Sequence, residues 1–162
     1  MVANGPHEVH FKKIIKDFNL GNRVAIVDFD ERLSRLGYAG SDFMLMPSLF
    51  EPCGLPKMTA PLYGSLPVVH ATGGLYDTIR PIDVWSSTGN GFRFDHYDAN
   101  ALRWAVDQAM EFYGLPHEMK ITQIRRVMLE SEKEYSHEEV ARRYIAIYED
   151  MLTRPLVDVV AG

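Results

Sequence analysis

The amino-acid sequence predicts an α/β fold, a doubly wound parallel sheet that is followed by a helical C-terminal third. Short apolar segments alternate with helical patterns at ~20–25-residue intervals, which is the spacing of strand–helix–strand units. Parallel strands need such crossover helices, because a tight turn cannot join them. The chain has 162 residues, a length that suits one domain with its own core. We therefore expect a single domain over residues 1–162, with a partial sheet of about four strands.

Each predicted strand is a short apolar run bounded by turn-forming or polar residues. The first contains several β-branched residues, which favour strands. The second stops at Pro47, which cannot donate a backbone hydrogen bond. The predicted strands are residues 23–28, 43–46, 67–70 and 91–94.

The N-terminal half of the chain also has helical patterns between these runs. Residues 7–18 form an amphipathic pattern that ends before a glycine. Asp30 can cap a helix over residues 31–39. A further helix is expected over residues 55–63, although Pro61 lies inside it and removes one backbone hydrogen bond.

The sequence after the last predicted strand is helical to its end. Asp98 is the expected cap of a helix whose apolar residues recur on one face, and Gly114 ends that helix. Pro116 begins the next helix. Residues 136–139 read Ser-His-Glu-Glu, a capping box for the last one.

Composition excludes several functional classes. The chain is 46% hydrophobic, carries a net charge of -5 and has one cysteine. No apolar run approaches the ~20 residues of a membrane-spanning helix, and the N-terminus lacks a signal-peptide core. The single cysteine fits a reducing, cytoplasmic setting. The net charge argues against nucleic-acid and membrane partners, since both reward clustered Lys and Arg. We expect a cytoplasmic protein with a small-molecule site.

The loops after the strands are the expected position of that site, because ligands of doubly wound sheets bind beyond the carboxyl ends of the strands. Residues 48–55 leave a strand and enter a helix, where backbone amides suit a phosphate and Gly54 permits close approach. Glu51 would repel a phosphate but suits the hydroxyls of a sugar. Residues 71–75 repeat the strand–glycine–helix pattern. Phe29, at a strand's end, can stack on a base or pack in the core.

The combined motifs resemble those of the bacterial glycogen synthases and plant starch synthases. The segment 38–55 (YAGSDFMLMPSLFEPCGL) and the segment 63–75 (YGSLPVVHATGGL) carry most of the resemblance. The looser matches are Gly89-Asn-Gly-Phe92 and the last helix. The resemblance implies two Rossmann-like domains facing a cleft, the GT-B arrangement. It also implies transfer of glucose from ADP-glucose or UDP-glucose to the non-reducing end of an α-1,4-glucan, with retention and without a metal or other cofactor.

Within that family the chain resembles most of the C-terminal, donor-binding domain, truncated at its N-terminal side. The resemblance makes Glu51 the catalytic carboxylate, which contacts the donor glucose. It gives backbone amides of Gly54 and Leu55 to the pyrophosphate, and it sets Phe29 against the adenine. The other residues that it places in the donor site are Cys53, Thr72, Gly73, Gly74 and Leu75.

Some positions depart from the family pattern. Related glycosyltransferases have a second glutamate at the position of Thr59. The glycogen synthases generally have a residue without a carboxylate there, as this chain does. The usual polar pair after Gly-Leu, often Thr-Gln or Asn-Gln, is Pro56-Lys57 here. Lys57 either contributes charge for a phosphate or is solvated, and the solvated interpretation is preferred. A basic loop of the donor domain and the whole acceptor domain have no counterpart in this sequence, so we expect the chain alone to be inactive or weak.

Several residues and one function class stay open. His70 either faces a bound donor or has no ligand role. Trp85 and Trp104 are expected to anchor core or loops rather than to stack on sugars. The alternative to a donor-binding domain is a non-catalytic interaction module, which forms a homo-oligomer through its incomplete sheet.

Overall fold

The computed structural model describes residues 7–153, which form seven α-helices, one 3-10 turn and three strands. In chain order these are α1 (Glu8–Asp17), α2 (Glu31–Ala39), β1 (Phe43–Met46), α3 (Leu55–Thr59), the 3-10 turn (Ala60–Tyr63), β2 (Leu66–His70), α4 (Gly73–Thr78), β3 (Phe92–Phe94), α5 (Ala99–Tyr113), α6 (His117–Glu134) and α7 (His137–Leu152). None of the described helices is long and apolar enough to cross a membrane.

The strands form one parallel sheet in the order β1-β2-β3. Phe43 of β1 is opposite Leu66 of β2, and Val68 of β2 is opposite Phe92 of β3. β2 is therefore the central strand, and every one of its residues is buried. The parallel sheet and its helices confirm the predicted α/β class.

Alternate residues of a strand point to opposite faces of the sheet. Apolar residues on both faces pack against helices, which therefore cover both faces. On one face Leu66 and Val68 pack with β3, α5 and α6 in a core that contains Ala105 and Val127. On the other face Val69 packs with β1, α4 and the residue after α4; that core consists of Met46, Val69, Leu75 and Ile79. The two cores fix the carboxyl ends of β1 and β2 side by side.

The predicted strand over residues 23–28 is wrong. The structure has only an isolated bridge residue, Val27, in this segment. Val24 and Val27 stay partly exposed. A strand needs a neighbour for its backbone hydrogen bonds, and among the described residues β1 pairs with β2 alone. Although β1 keeps one edge unpaired among the described residues, residues 23–28 do not pair along it, and the sheet has three strands in place of about four.

The predicted helix signals are confirmed. Asp30 accepts a hydrogen bond from the Leu33 amide at 2.7 Å, and Asp98 accepts from two amides of the first turn of α5. Ser136 accepts from the Glu139 amide at 3.1 Å. The helix expected over residues 55–63 becomes 3-10 at Ala60, one residue before Pro61. That change is the effect of the proline's missing amide hydrogen.

Candidate functional site

Two loops at the carboxyl ends of neighbouring strands form the candidate site. The first loop, residues 47–54, connects β1 to α3, and the second loop, residues 71 and 72, connects β2 to α4. Because β1 and β2 are parallel and adjacent, the sheet brings these loops together. This is the position at which the sequence predicted a ligand.

Direct hydrogen bonds join the two loops. The Gly74 amide, in the first turn of α4, donates to the Glu51 carbonyl oxygen at 3.1 Å. The Thr72 hydroxyl donates to the Leu49 carbonyl oxygen at 3.4 Å. At the base of the loops, His70 Nδ1 lies 2.7 Å from the Ser48 carbonyl oxygen. The predicted residues Glu51, Thr72 and Gly74 are thus in one place.

Glycine is required where the loops touch. Gly73 has a φ of +46°, and a Cβ at this position would lie 2.2 Å from the Glu51 carbonyl oxygen. Gly54 has a φ of +77°, and its Cβ would lie 2.8 Å from the Leu75 side chain. Such distances are impossible without movement, so Gly73 allows the close approach of the two backbones and Gly54 leaves room for the Leu75 side chain.

The Glu51 side chain is turned toward the start of α3. Its Oε1 atom accepts a hydrogen bond from the Gly54 amide at 3.0 Å. This is one of the amides that the sequence assigned to a pyrophosphate. Among residues 7–153, the second carboxylate oxygen, Oε2, has no hydrogen-bond partner. The carboxylate therefore holds the amide at the start of α3 through one oxygen and leaves the other without a partner among the described residues.

Lys57 contradicts the preferred sequence interpretation, because it is 4% exposed. Its Nζ donates to the Thr78 hydroxyl at 2.6 Å and to the Gly74 carbonyl oxygen at 3.2 Å. The ammonium group also lies 5.9 Å from the centre of the Tyr135 ring. Burial lowers the pKa of Lys57, while nearby acidic groups oppose that effect. The Lys57 side chain therefore links α3 to α4, and both helices begin at the candidate site. The sequence alone does not reveal this contact.

His70 is buried between the first loop and two aromatic rings. Because the Ser48 carbonyl oxygen can only accept, His70 Nδ1 donates to it. The ring centre lies 5.4 Å from that of Phe94 and 5.1 Å from that of Tyr97. His70 thus supports the base of the first loop, and whether it also faces a donor stays a prediction.

The remaining predicted residues lie in or near the loops with different exposures. Cys53 and Leu55 are exposed beside Gly54, whereas Leu75 is fully buried and its amide donates to the Thr72 carbonyl oxygen. Phe29 is 64% exposed and precedes α2. Neither a ligand nor a comparison tests the roles of these residues, which stay predictions.

Of the expected roles as core or loop anchors, the structure excludes the core for both tryptophans. Trp85 is 89% exposed and Trp104 is 56% exposed. Both border a cavity beside β3, away from the two loops. The exposure of the two indole rings could not be predicted from the sequence, since the positions of Trp85 and Trp104 in the chain suit core residues equally well.

Among the described residues, no group of three His, Cys, Asp or Glu side chains is arranged to hold a metal ion. The polar groups of the candidate site are suited to hydrogen bonding. The two loops offer a carboxylate oxygen, a threonine hydroxyl and backbone amides, the groups that recognise hydroxyls and phosphates.

The parallel sheet, its two helical layers and the loops at its carboxyl edge define a doubly wound α/β domain, the type that GT-B glycosyltransferases contain. The family model described as glycosyl transferases group 1 matches residues 1–126. The chain therefore belongs to the group 1 glycosyl transferase family.

Within that family the chain is similar to bacterial glycogen synthases. It is 47% identical to the glycogen synthase of Clostridium botulinum (strain Eklund 17B / Type B) over 108 residues, which are 66% of this chain and 22% of that protein. It is 36% identical to the glycogen synthase of Desulfitobacterium hafniense over 154 residues, which are 93% of this chain and 32% of that protein. The chain spans between a fifth and a third of the length of these relatives.

A solved structure gives the same relation. The catalytic domain of starch synthase IV from Arabidopsis thaliana, bound to ADP and acarbose, superposes with a TM-score of 0.78 at 32% identity. The match covers 94% of this chain and 31% of that chain. Sucrose-phosphate synthase from Thermosynechococcus elongatus shares the fold, with a TM-score of 0.68 at 23% identity over 92% of this chain and 35% of that one. The predicted resemblance to glycogen and starch synthases is confirmed.

Proposed function

We propose that this chain is the donor-binding part of a retaining glycosyltransferase of the glycogen or starch synthase type. The two loops bind a nucleotide-diphosphate glucose, either ADP-glucose or UDP-glucose. The parent protein passes the glucose to the non-reducing end of an α-1,4-glucan, which a second domain holds. The chain is then most of the C-terminal domain of a two-domain cytoplasmic enzyme.

The observation that carries this proposal is the contact of the two loops at Glu51. Its carbonyl oxygen accepts from the Gly74 amide, and its carboxylate accepts from the Gly54 amide. One residue thus joins the starts of α3 and α4, and its Oε2 atom has no hydrogen-bond partner among the described residues. The similarity to a starch synthase structure bound to ADP supports a nucleotide as the ligand of this fold.

The proposed chemistry assigns distinct tasks to the groups of the site. Glu51 Oε2 accepts a hydrogen bond from a hydroxyl of the donor glucose. The Leu55 amide binds the diphosphate directly, the Gly54 amide does so by exchanging its bond to Glu51 Oε1 for one to a phosphate oxygen, and Thr72 contributes its hydroxyl. In the transfer, the bond between glucose C1 and the diphosphate breaks, and a bond from C1 to an acceptor hydroxyl oxygen forms. The nucleoside diphosphate leaves, and its phosphate oxygen, directly or through solvent, takes up the proton that the acceptor hydroxyl loses.

Thermal unfolding with nucleotides tests the donor proposal. ADP at about 100 times its dissociation constant stabilises a folded chain by about 2.7 kcal/mol, which is roughly 5–10 °C in melting temperature for this size. We expect ADP-glucose or UDP-glucose to raise the melting temperature further through Glu51. Because no metal is needed, the protection should persist in EDTA.

Two variants localise the effect. Glu51→Ala should lose the extra protection that the sugar nucleotide gives over the nucleoside diphosphate. Glu132→Ala, at an exposed acidic position of α6, is the control and should retain that protection. The proposal fails if no nucleotide changes the melting temperature, or if both variants respond as the unsubstituted chain does.

The interaction module stays the second candidate, because β1 has an unpaired edge within residues 7–153. Leu45 on this strand is 53% exposed. A cavity of about 650 Å³ lies alongside, lined in part by Tyr38 and Pro56. A stable oligomer whose melting temperature ignores all nucleotides would favour this candidate.

A further inference from the structure

A cleft beside β3 lies outside the proposed donor site. Its volume is about 340 Å³, and it is lined by residues that precede β3 and by residues of β3 and α5. We call it the Trp cleft after Trp85 and Trp104, which both border it. The donor loops follow the carboxyl ends of β1 and β2, whereas the segment 81–85 precedes β3. The Trp cleft therefore contains no residue of those loops.

The turn that carries Trp85 is rigidly built. Asp83 and Thr88 exchange two backbone hydrogen bonds of 2.9 and 3.1 Å. Asp83 Oδ1 also accepts from the amides of Trp85 at 2.8 Å and Ser86 at 3.2 Å. Hydrogen bonds from the Ser86 hydroxyl and from the amides of Ser86 and Trp85 hold the pKa of Asp83 below its usual range. This turn holds the backbone of Trp85, a residue that is 89% exposed.

Within the described part of the chain, neither tryptophan ring makes a hydrogen bond or a stacking contact. The indole N–H groups of Trp85 and Trp104 have no hydrogen-bond partner there, and no aromatic ring or cation stacks on them. Tryptophan is usually well buried, because its burial removes a large apolar area from water. Two free indole faces in one concave surface therefore indicate a ligand that stacks on them.

The polar groups of the Trp cleft indicate a neutral ligand with many hydroxyls. The charged groups are the carboxylates of Asp83 and Glu111 and the guanidinium of Arg93. The guanidinium already donates to the Ile79 carbonyl oxygen at 3.3 Å and lies 4.9 Å from the Tyr76 ring centre. Gln108 adds an amide that donates to Glu111 at 3.2 Å. Two carboxylates and one engaged cation disfavour a phosphate, whereas carboxylates and amides accept hydrogen bonds from sugar hydroxyls.

We propose that the Trp cleft is an accessory carbohydrate site that binds a chain of glucose units. The apolar faces of two sugar rings stack on Trp85 and Trp104, and their hydroxyls donate to Asp83 and Glu111. The site anchors a glucan on this domain at a distance from the donor loops. The choice of an α-1,4-glucan as ligand rests on the proposed function, whereas the carbohydrate class rests on the cleft itself.

Intrinsic fluorescence of the whole chain tests the proposal directly. The chain has only two tryptophans, so its tryptophan emission reports on the Trp cleft alone. We expect maltoheptaose to change this emission in a saturable way. Cellohexaose, with β-1,4 links, serves as the comparison ligand. An equal response to both sugars would overturn the α-glucan assignment.

Substitutions of Trp85 and Trp104 complete the test. In Trp85→Ala and in Trp104→Ala the other tryptophan remains as the reporter. Each should weaken maltoheptaose binding roughly three- to tenfold, the factor for losing one stacking face. Tyr144→Ala, at an exposed aromatic of α7, should leave the affinity unchanged. Because all three side chains are exposed, the melting temperature of each variant should stay near that of the unsubstituted chain.

The outcomes separate this inference from the proposed function. Absence of any saturable response to maltoheptaose, or an affinity unchanged in both tryptophan variants, overturns the accessory site. If ADP still protects that same chain against unfolding, the donor proposal survives. A maltoheptaose response without nucleotide protection supports the accessory site and contradicts the donor proposal alone.

Discussion

At the scale of single residues, the candidate site depends on positions where a side chain or its absence decides a contact. Glu51 joins both loops through its carbonyl oxygen and its carboxylate. Gly73 permits the first of these contacts, because even a methyl group would collide with that carbonyl oxygen. The sequence indicated both residues through their place after a strand. It could not indicate that Glu51 already caps the Gly54 amide, since that bond depends on the loop's conformation.

Gly73→Ala should separate the two loops. The added Cβ would lie 2.2 Å from the Glu51 carbonyl oxygen, and the positive φ adds backbone strain. We expect a loss of about 2 kcal/mol in the free energy of unfolding together with loss of nucleotide protection. Chemical denaturation and thermal shift measure the two effects. Gly37→Ala is the control, because a Cβ there meets nothing within 4 Å. Unaltered nucleotide protection in Gly73→Ala would contradict this role.

Lys57→Gln should change how stability depends on pH. Burial lowers the pKa of Lys57 in the folded chain, whereas its unfolded value is about 10.4. Between the two values the unfolded chain binds more protons, so the stability of the unsubstituted chain rises with pH. The difference in unfolding free energy between the two proteins should therefore shift in favour of lysine as pH approaches about 10. Denaturation curves across this range provide the measurement, and a difference that is constant with pH would refute the assignment.

At the scale of elements, the strands show what sequence patterns can and cannot predict. β1 was predicted over its observed range because its apolar run ends at Pro47. Residues 23–28 carry an equally good pattern and form no strand. The difference is the neighbour: β1 pairs with β2. Local patterns thus predict which segments favour a strand, whereas tertiary pairing decides which of them becomes one. Helix ends were predicted well, because caps such as Asp98 act within one turn.

Arg126→Ala should loosen the attachment of α6 to the segment before β3. Arg126 donates to the carbonyl oxygens of Gly89 at 2.7 Å and Thr88 at 3.2 Å, and it pairs with Glu130 at 2.8 Å. Loss of these bonds should lower the free energy of unfolding by about 1–3 kcal/mol. Arg125→Ala, at the exposed neighbouring position, should cost less than about 0.5 kcal/mol. Equal costs in urea unfolding would show that Arg126 has no anchoring role.

At the scale of the whole molecule, the proposed function makes this chain one side of a reaction. It spans 22–32% of the glycogen synthases described above, and its candidate site carries the groups that the proposed donor would contact. The unpaired edge of β1 and the exposed Leu45 leave the sheet open beside that site. The family was predictable from the combined motifs, and the motif residues Glu51, Thr72 and Gly74 lie together in the candidate site. The Trp cleft was not predictable, because only the folded chain brings Trp85 and Trp104 to one concave surface.

The isolated chain should bind a donor without transferring glucose efficiently. The acceptor-binding groups implied by the resemblance lie outside the loops that this chain contributes, so no acceptor hydroxyl is held beside the donor. Incubation with ADP-glucose and maltoheptaose should give no saturable elongation when the products are separated by length. Saturable elongation by the purified chain would contradict this expectation.

Hydrogen–deuterium exchange with and without ADP-glucose tests most directly that the donor binds where the two loops meet. A bound donor should slow exchange of the backbone amides in peptides that cover residues 47–57 and 71–76, because the diphosphate accepts hydrogen bonds from both segments. Peptides from α6 and α7 serve as the internal reference. The proposal predicts protection confined to the two loops and the helices that they enter. Protection elsewhere with unchanged loops, or no protection at saturating donor, would contradict it.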